Sequence, residues 1–276
     1  MLSVTSDYVT GLGSAQPYLQ RIAEHGFSHV HWCHQWNTDF LYTRPEIDAI
    51  AGWLKTYNLK LNGVHGSDGV EKRYLEEVEY QRLAGLELVI NRMQFTAELG
   101  ADVLVMHIPS APSEPAAAQT FWDRLRRSLD ALQPVAERLG IRIAVENGGH
   151  DHMASIAPLW DMYPPEFLGL CYDAGHSNIG VDGIIHLDVL RDRLLAMHLH
   201  DNDGQSDEHK LPFTGTLDWQ RLTEVLARSS YRKGVILEVG MRNTGISDED
   251  QLLDEAYRAA VKLQGMIDRA RAAQNA

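Results

Sequence analysis

Val103-Leu104-Val105-Met106-His107 is an apolar run that ends in an imidazole. The same event recurs along the chain. Gly63-Val64 ends at His65, Ile141-Arg142-Ile143-Ala144-Val145 at Glu146, and Leu168-Gly169-Leu170-Cys171-Tyr172 at Asp173, with His176 three residues on. Leu194-Leu195-Ala196-Met197 ends at His198 and Val235-Ile236-Leu237 at Glu238. A parallel strand buried on both faces reads as continuous apolar sequence. A charged tip on such a strand is costly unless it is paired or bound to a cation. One such tip is ordinarily a structural hydrogen-bonding group. Six alike point to a common mouth, which is how a (β/α)8 barrel assembles a site at the C-terminal ends of its strands. Imidazole with carboxylate is a ligand set for Zn²⁺, Mn²⁺, Co²⁺ or Fe²⁺.

Outward from these tips, the apolar runs predict strands at 2–5, 28–32, 59–64, 102–107, 141–146, 168–173, 194–199 and 235–239. Amphipathic patterns predict helices at 15–25, 45–57, 71–99, 115–139, 154–162, 186–192, 218–229 and 248–271. Pro45 just inside the second helix and Gly100 just past the third are start and stop chemistry. Pro109, Pro112 and Pro115 mark a long loop between strand and helix. Eight alternating units in one domain spanning 1–276 favour a closed α/β TIM barrel, a size that suits the fold. The alternative is an open doubly wound sheet, whose glycine-rich phosphate turn Gly11-Leu12-Gly13-Ser14 matches only weakly.

The chain carries 25 Lys+Arg against 38 Asp+Glu, a net charge of -13. That opposes a function built on gripping phosphate backbones. The expected mouth loops, 31–39, 65–70, 107–115, 147–153, 174–183 and 200–216, contain Lys210 and no other Lys or Arg. Arg124, Arg126 and Arg127 sit on a helical pattern with Leu125 and Leu129 and read as a solvated outer face. No apolar run approaches the ~20 residues of a membrane span, and the N-terminal residues lack signal-peptide character. Cys33 and Cys171 read as two buried thiols of a cytoplasmic protein.

Asp173-Ala174-Gly175-His176 can present both Asp173 and His176 to one mouth, because the small Ala-Gly pair turns the chain. The ligand reading of Asp173 is preferred to helix capping. In Met197-His198-Leu199-His200-Asp201, the two histidines share a strand face by the period of two. His198 is the expected ligand and His200 a supporting group. Asp207-Glu208-His209 adds an Asp-x-His pair in a polar loop. His31-Trp32-Cys33-His34-Gln35-Trp36-Asn37 mixes aromatic faces with donors, so Trp32 and His34 are candidate walls for a sugar.

The chain resembles the xylose-isomerase-like barrel superfamily, which includes sugar isomerases and epimerases, inosose dehydratases and endonuclease IV. The resemblance covers essentially the whole chain. It rests on Val145-Glu146-Asn147, Tyr172-Asp173-Ala174-Gly175-His176, His198-Leu199-His200-Asp201, the Asp207-x-His209 loop leading to Gly215-Thr216-Leu217-Asp218-Trp219, and Leu237-Glu238. The ketose epimerase branch implies one divalent ion (Mn, Zn, Co or Mg) on Glu146, Asp173, His198 and Glu238, the two glutamates serving as acid and base. It implies a substrate contact at His176. The endonuclease IV branch implies further metal positions using His65, His107, His176, Asp207 and His209. Departures include His152 where ketose epimerases place a substrate-binding Glu, and Phe213-Thr214-Gly215 in place of a Gly-x-Gly turn.

These readings lead to a metal-dependent sugar or polyol isomerase or epimerase working through an enediolate. Its partner is a small carbohydrate, with no nucleic acid and no membrane; a homo-oligomer is compatible. The alternatives are an endonuclease IV-like multi-zinc phosphodiesterase, an inosose-dehydratase-like lyase and a non-enzymatic sugar-binding barrel. His65, His107, His200, Asp207 and His209 are expected at the same mouth, as a second metal position or as substrate contacts.

Overall fold

The computed structural model describes residues 1–9, 11, 13–35, 38, 40–66, 73–180 and 183–274. Eight parallel strands run in the order β7-β6-β5-β4-β3-β2-β1-β8. They are β1 (Leu2–Thr5), β2 (His29–Trp32), β3 (Lys60–His65), β4 (Val103–His107), β5 (Arg142–Glu146), β6 (Leu168–Asp173), β7 (Leu194–His198) and β8 (Val235–Leu237). The seam closes between β7 and β8. Leu199 donates its N–H to the Ile236 carbonyl at 3.0 Å, and Glu238 donates to the Leu199 carbonyl at 3.2 Å. The expected barrel is therefore present, and the open sheet is not. Within the strands, Val103, Leu104, Val105, Met106, Ala144 and Leu170 are each at most 1 % exposed. That burial explains why their sequence is continuous rather than alternating.

The helices between the strands are α1 (Gln16–Glu24), α2 (Arg44–Thr56), α3 (Glu79–Glu98), α4 (Pro115–Leu139), α5 (His152–Ser155), α6 (Leu159–Met162), α7 (Ala174–Ile179), α8 (Gly183–Leu190), α9 (Trp219–Arg228) and α10 (Glu249–Gln274). Local chemistry sets their ends. The Glu46 carboxylate accepts from both the backbone N–H and the hydroxyl of Thr43 at the start of α2. Glu114 caps α4 by accepting from Ala116 and Ala117, with Pro115 as first helical residue.

Three expected helices differ. The helix predicted from 71 starts at Glu79; residues 71 and 72 lie outside the described residues, and 73–78 run as turns and bends. The segment predicted as one helix at 154–162 is split into α5 and α6 around Pro158, whose missing N–H cannot continue the first. The segment predicted at 186–192 is part of α8, which starts at Gly183 and ends in a 3-10 turn at Arg191–Arg193. The strand predicted at 235–239 ends at Leu237. No helix among the described residues is long and apolar enough to cross a membrane.

Candidate metal centre and active site

Glu146 is the hub of the mouth. It ends β5, is 3 % exposed, and turns one oxygen, Oε2, toward three imidazoles. His107 Nε2 lies 3.1 Å away, His65 Nε2 3.3 Å and His198 Nδ1 3.2 Å. His198 Nδ1 also lies 3.0 Å from Glu238 Oε2. The ligand atoms of Glu146, Asp173, His198 and Glu238 all fall within 4.8 Å of one another, as do those of His65, His107 and Glu146. The two groups share Glu146.

The seam and the loops set these positions. Glu238 is held beside His198 because its N–H bonds the carbonyl of Leu199, the next residue after His198. Asn147 ties the tips of β5 and β6 together. Its Oδ1 accepts from the Asp173 N–H at 2.8 Å, and its Nδ2 donates to the Asp173 carbonyl at 3.0 Å. Asp173 both faces the site and caps α7: Oδ1 accepts from the His176 N–H at 2.6 Å, while Oδ2 lies 3.2 Å from His200 Nε2. Asp173 therefore does cap the following helix, the role ranked second from the sequence, while Oδ2 faces His200.

Backbone carbonyls make Nδ1 a donor in three of the imidazoles. A carbonyl can only accept, so His65 donates Nδ1–H to Gly66 at 2.8 Å, His176 donates Nδ1–H to Asn147 at 2.9 Å and His209 donates Nδ1–H to Glu238 at 3.2 Å. Each Nε2 then faces the mouth. Those of His176 and His209 lie 3.5 and 3.0 Å from Asp207 Oδ2. His200 stacks on His209 with ring centroids 4.2 Å apart.

The donor set fits a divalent cation. His198 Nδ1 is buried between two carboxylates, yet makes an aligned hydrogen bond with neither. One imidazole and three carboxylates whose ligand atoms lie within 4.8 Å of one another are a donor set of the type that holds such an ion. Burial opposes charge on this cluster, but mutual attraction outweighs it. Burial, then Cys171, Glu238 and Glu146, act on His198, and its pKa rises well above the ordinary histidine value. Glu146 and Glu238 fall below the usual carboxylate range despite burial, with His198 the leading attraction for each.

The family model described as "Xylose isomerase-like TIM barrel" matches residues 19–263. The chain belongs to the xylose isomerase-like TIM barrel family. Its relatives include the uncharacterized protein y4fM of Sinorhizobium fredii, 30 % identical over 92 % of this chain and 89 % of that one. An inosose dehydratase of Bacillus cereus is 22 % identical over 95 % of this chain and 93 % of its own length. The structure of a D-psicose 3-epimerase in the presence of D-fructose superposes with a TM-score of 0.76 at 18 % identity, covering 96 % of this chain and 99 % of that one. At that identity the likeness establishes the shared fold.

Within this xylose isomerase-like barrel, Trp32 and His34 border a cavity whose lining includes none of Glu146, Asp173, His198 and Glu238. Trp32 is 2 % exposed, donates its indole N–H to the Tyr42 hydroxyl at 2.7 Å and packs on Phe95. His34 bonds the Gly13 carbonyl. Both border a separate cavity of about 640 Å³ lined by Phe40, Tyr42 and Trp53, without metal-type carboxylates of the mouth. An aromatic-rich segment after a strand reads the same whether it lines a site or closes a core.

Four side chains at the mouth were not assigned to it from the sequence. His31 is fully buried, with Nε2 3.3 Å from His198 Nε2; burial and the neighbouring His198 hold its pKa well below the usual value. Asp7, two residues past β1, is raised to about 6 by burial and by Glu238. The first strand therefore also delivers a carboxylate, a signal hidden by the intervening Ser6. Arg73 and Arg124 line one cavity with His107 and Glu146, so the mouth carries more positive charge than Lys210 alone, and Arg124 is not confined to a solvated outer face.

Gly175 has a steric reason. A Cβ there would stand 1.9 Å from Cε1 of His200, a fully buried ring that would have to shift. Gly175→Ala is expected to cost about 1–3 kcal/mol by overpacking and to push His200 off Asp173. Thermal melting checks the first and the His200 imidazole NMR resonances the second. Wild-type values for both would show that the ring yields freely.

Proposed function

We propose that the chain is a divalent-metal-dependent isomerase or epimerase of a small sugar or polyol, with Glu146 and Glu238 as paired acid and base. The observation that carries this is the meeting of two carboxylates on one imidazole, 3.2 and 3.0 Å from His198 Nδ1. Glu146, Asp173, His198 and Glu238 would hold the cation. Bound there, it supplies Lewis acidity that polarises a carbonyl and acidifies the neighbouring C–H. One glutamate removes that proton and the other returns one. Return to the opposite face gives an epimer, and return to the neighbouring carbon gives an isomer. Loss of a β-hydroxyl gives dehydration. Relatives named as an epimerase and a dehydratase support chemistry of this class. His176, with Nε2 toward the mouth, is assigned to a substrate oxygen, and the buried thiols Cys33 and Cys171 suit a reducing cytoplasm.

A second cation position on His65, His107 and Glu146 is favoured by a specific feature: His65 commits Nδ1 to Gly66 and leaves Nε2 3.1 Å from His107 Nε2. Asp207, His176 and His209 form a further group. Several cations would bring a phosphodiesterase into play. The deciding experiment combines metal analysis with incorporation of deuterium from D2O into carbon positions of a ketose panel. Site-dependent exchange supports the isomerase reading. No exchange, together with cleavage of an abasic duplex at ~0.1 M salt, would replace it.

Protons and cations compete here. Burial disfavours charge on His176 and His209. Asp173, Asp207 and Glu146 outweigh burial at His176, and Asp207 and Glu238 do so at His209, raising their pKa values to about 11 and about 10. A raised pKa stabilises fully below the ordinary value of 6.5, and the contribution fades as pH climbs toward 10–11. Chelator-treated protein is therefore expected to melt progressively lower from pH 7 to 10. Adding Zn²⁺ at pH 7 is expected to release protons, read by calorimetry in buffers of different ionisation enthalpy. A flat melting profile without proton release would show that these histidines are neutral.

A further inference from the structure

Because α3 starts at Glu79, Arg73 lies in the connection that follows β3. With Arg124 of α4 it lines a cavity of about 590 Å³ that His107 and Glu146 also line. The volume falls within the ~300–1,000 Å³ of small-molecule sites. We propose that the substrate of this site carries an oxyanion, a carboxylate or a phosphate, away from its reacting carbon, and that Arg73 and Arg124 recognise it. The proposal rests on the carbohydrate reading for the reacting end.

The two guanidinium groups are available in different ways. Arg124 bonds Glu77 Oε2 at 2.7 Å, but the Glu77 side chain is 80 % exposed. An exposed pair of this kind is worth at most about 1 kcal/mol, so a ligand oxyanion can take its place. Arg73 has no ion pair among the described residues and is held in the left-handed region at φ 47°. The planar guanidinium fork matches carboxylate and phosphate oxygens with paired hydrogen bonds.

Two of the other titratable groups in the wall, His152 and Glu146, are already engaged. His152 has both ring nitrogens engaged: Nδ1 accepts from the Gly148 N–H at 2.9 Å, and Nε2–H donates to the Ile108 carbonyl at 2.6 Å. It is a neutral strut. Glu146 is turned to its three imidazoles, which leaves Glu76 as the remaining carboxylate of the lining. On a chain with a net charge of -13, the two guanidiniums offset the two carboxylates, Glu76 and Glu146, of the same cavity wall.

The test is calorimetric binding of D-gluconate, D-fructose 6-phosphate and neutral D-fructose to the metal-loaded protein. It uses wild type, an Arg73→Asn/Arg124→Gln double variant and Glu77→Gln. Asn tolerates the left-handed backbone at position 73. At least one anion is expected to bind roughly tenfold tighter than D-fructose, and which one distinguishes carboxylate from phosphate. The double variant should lose that advantage and keep D-fructose binding. Glu77→Gln should tighten the anion by releasing Arg124. The proposal is overturned if neither anion binds better than D-fructose. It is equally overturned if the double variant binds the anions as wild type does, since the anion then sits on the cation or elsewhere. Deuterium exchange separates the two readings. Equal exchange on neutral ketoses by wild type and double variant retains the isomerase and removes the arginine site. Arginine-dependent anion binding with no exchange on any carbohydrate does the reverse.

Discussion

Glu146→Gln is expected to abolish turnover, by at least about 10³-fold, and to empty both cation positions at once. One oxygen of Glu146 serves His65, His107 and His198 within 3.1–3.3 Å. An amide replaces that shared anion with a neutral oxygen or, if rotated, with a donor facing three imidazole nitrogens. Glu238→Gln is the informative comparison. It should also stop turnover, but the group formed by His65, His107 and Glu146 does not include Glu238. Metal analysis should therefore find both positions lost in the first variant and one retained in the second. Wild-type metal content with full deuterium exchange in Glu146→Gln would remove this residue from the site.

The second large effect is structural. Asp201 is fully buried, and its carboxylate is wrapped in donors. Oδ1 accepts from the N–H groups of Asn202 and Leu217 at 3.0 and 3.2 Å. Oδ2 accepts from the Phe213 N–H and the Trp219 indole at 3.0 and 2.8 Å. Asp201→Ala would leave these buried donors without an acceptor, at about 1–3 kcal/mol each before relaxation. A net loss of about 4 kcal/mol is expected, a melting shift of roughly 10 °C for a chain of this size. The same carboxylate anchors the loop that carries Asp207 and His209, so metal affinity should fall as well. Asp201→Asn keeps one acceptor oxygen and should lie between. A melting temperature within about a degree of wild type in Asp201→Ala would show that water replaces the carboxylate.

The barrel was legible because parallel strands cannot hide their composition. Val103 to Met106 and Ile143 to Val145 are buried on both faces, so every position is apolar until the tip, and a charged tip stands out. Helices with weaker periodicity were less legible. Ala174-Gly175-His176-Ser177-Asn178-Ile179 has no amphipathic stripe, yet α7 forms there because Asp173 caps it and Gly175 lets His200 close in. Tertiary contact, absent from any local pattern, decides that segment. Trp32 shows the converse: its partners Tyr42 and Phe95 come from elsewhere in the chain and seat it beside a different cavity from the one Glu146 and His107 line. Arg124 could not be placed from its helix alone, because the helical pattern does not say that this residue borders the cavity shared with His107 and Glu146.

Under the proposed metal reading, the seam between β7 and β8 also couples assembly to cation capture. Glu146, Asp173, His198 and Glu238 come from the tips of four consecutive strands, and the last of these joins only when Leu199 and Leu237 pair. An ion that requires all four is therefore a late guest in folding, after the most non-local pairing has formed. Its affinity then adds to the closed form alone. At a hundredfold excess over its dissociation constant, that linkage amounts to about 2.7 kcal/mol held at the join of a three-residue strand. Amide exchange at Leu199 and Glu238 is where this gain would first be read, because those two N–H groups open whenever the ring does.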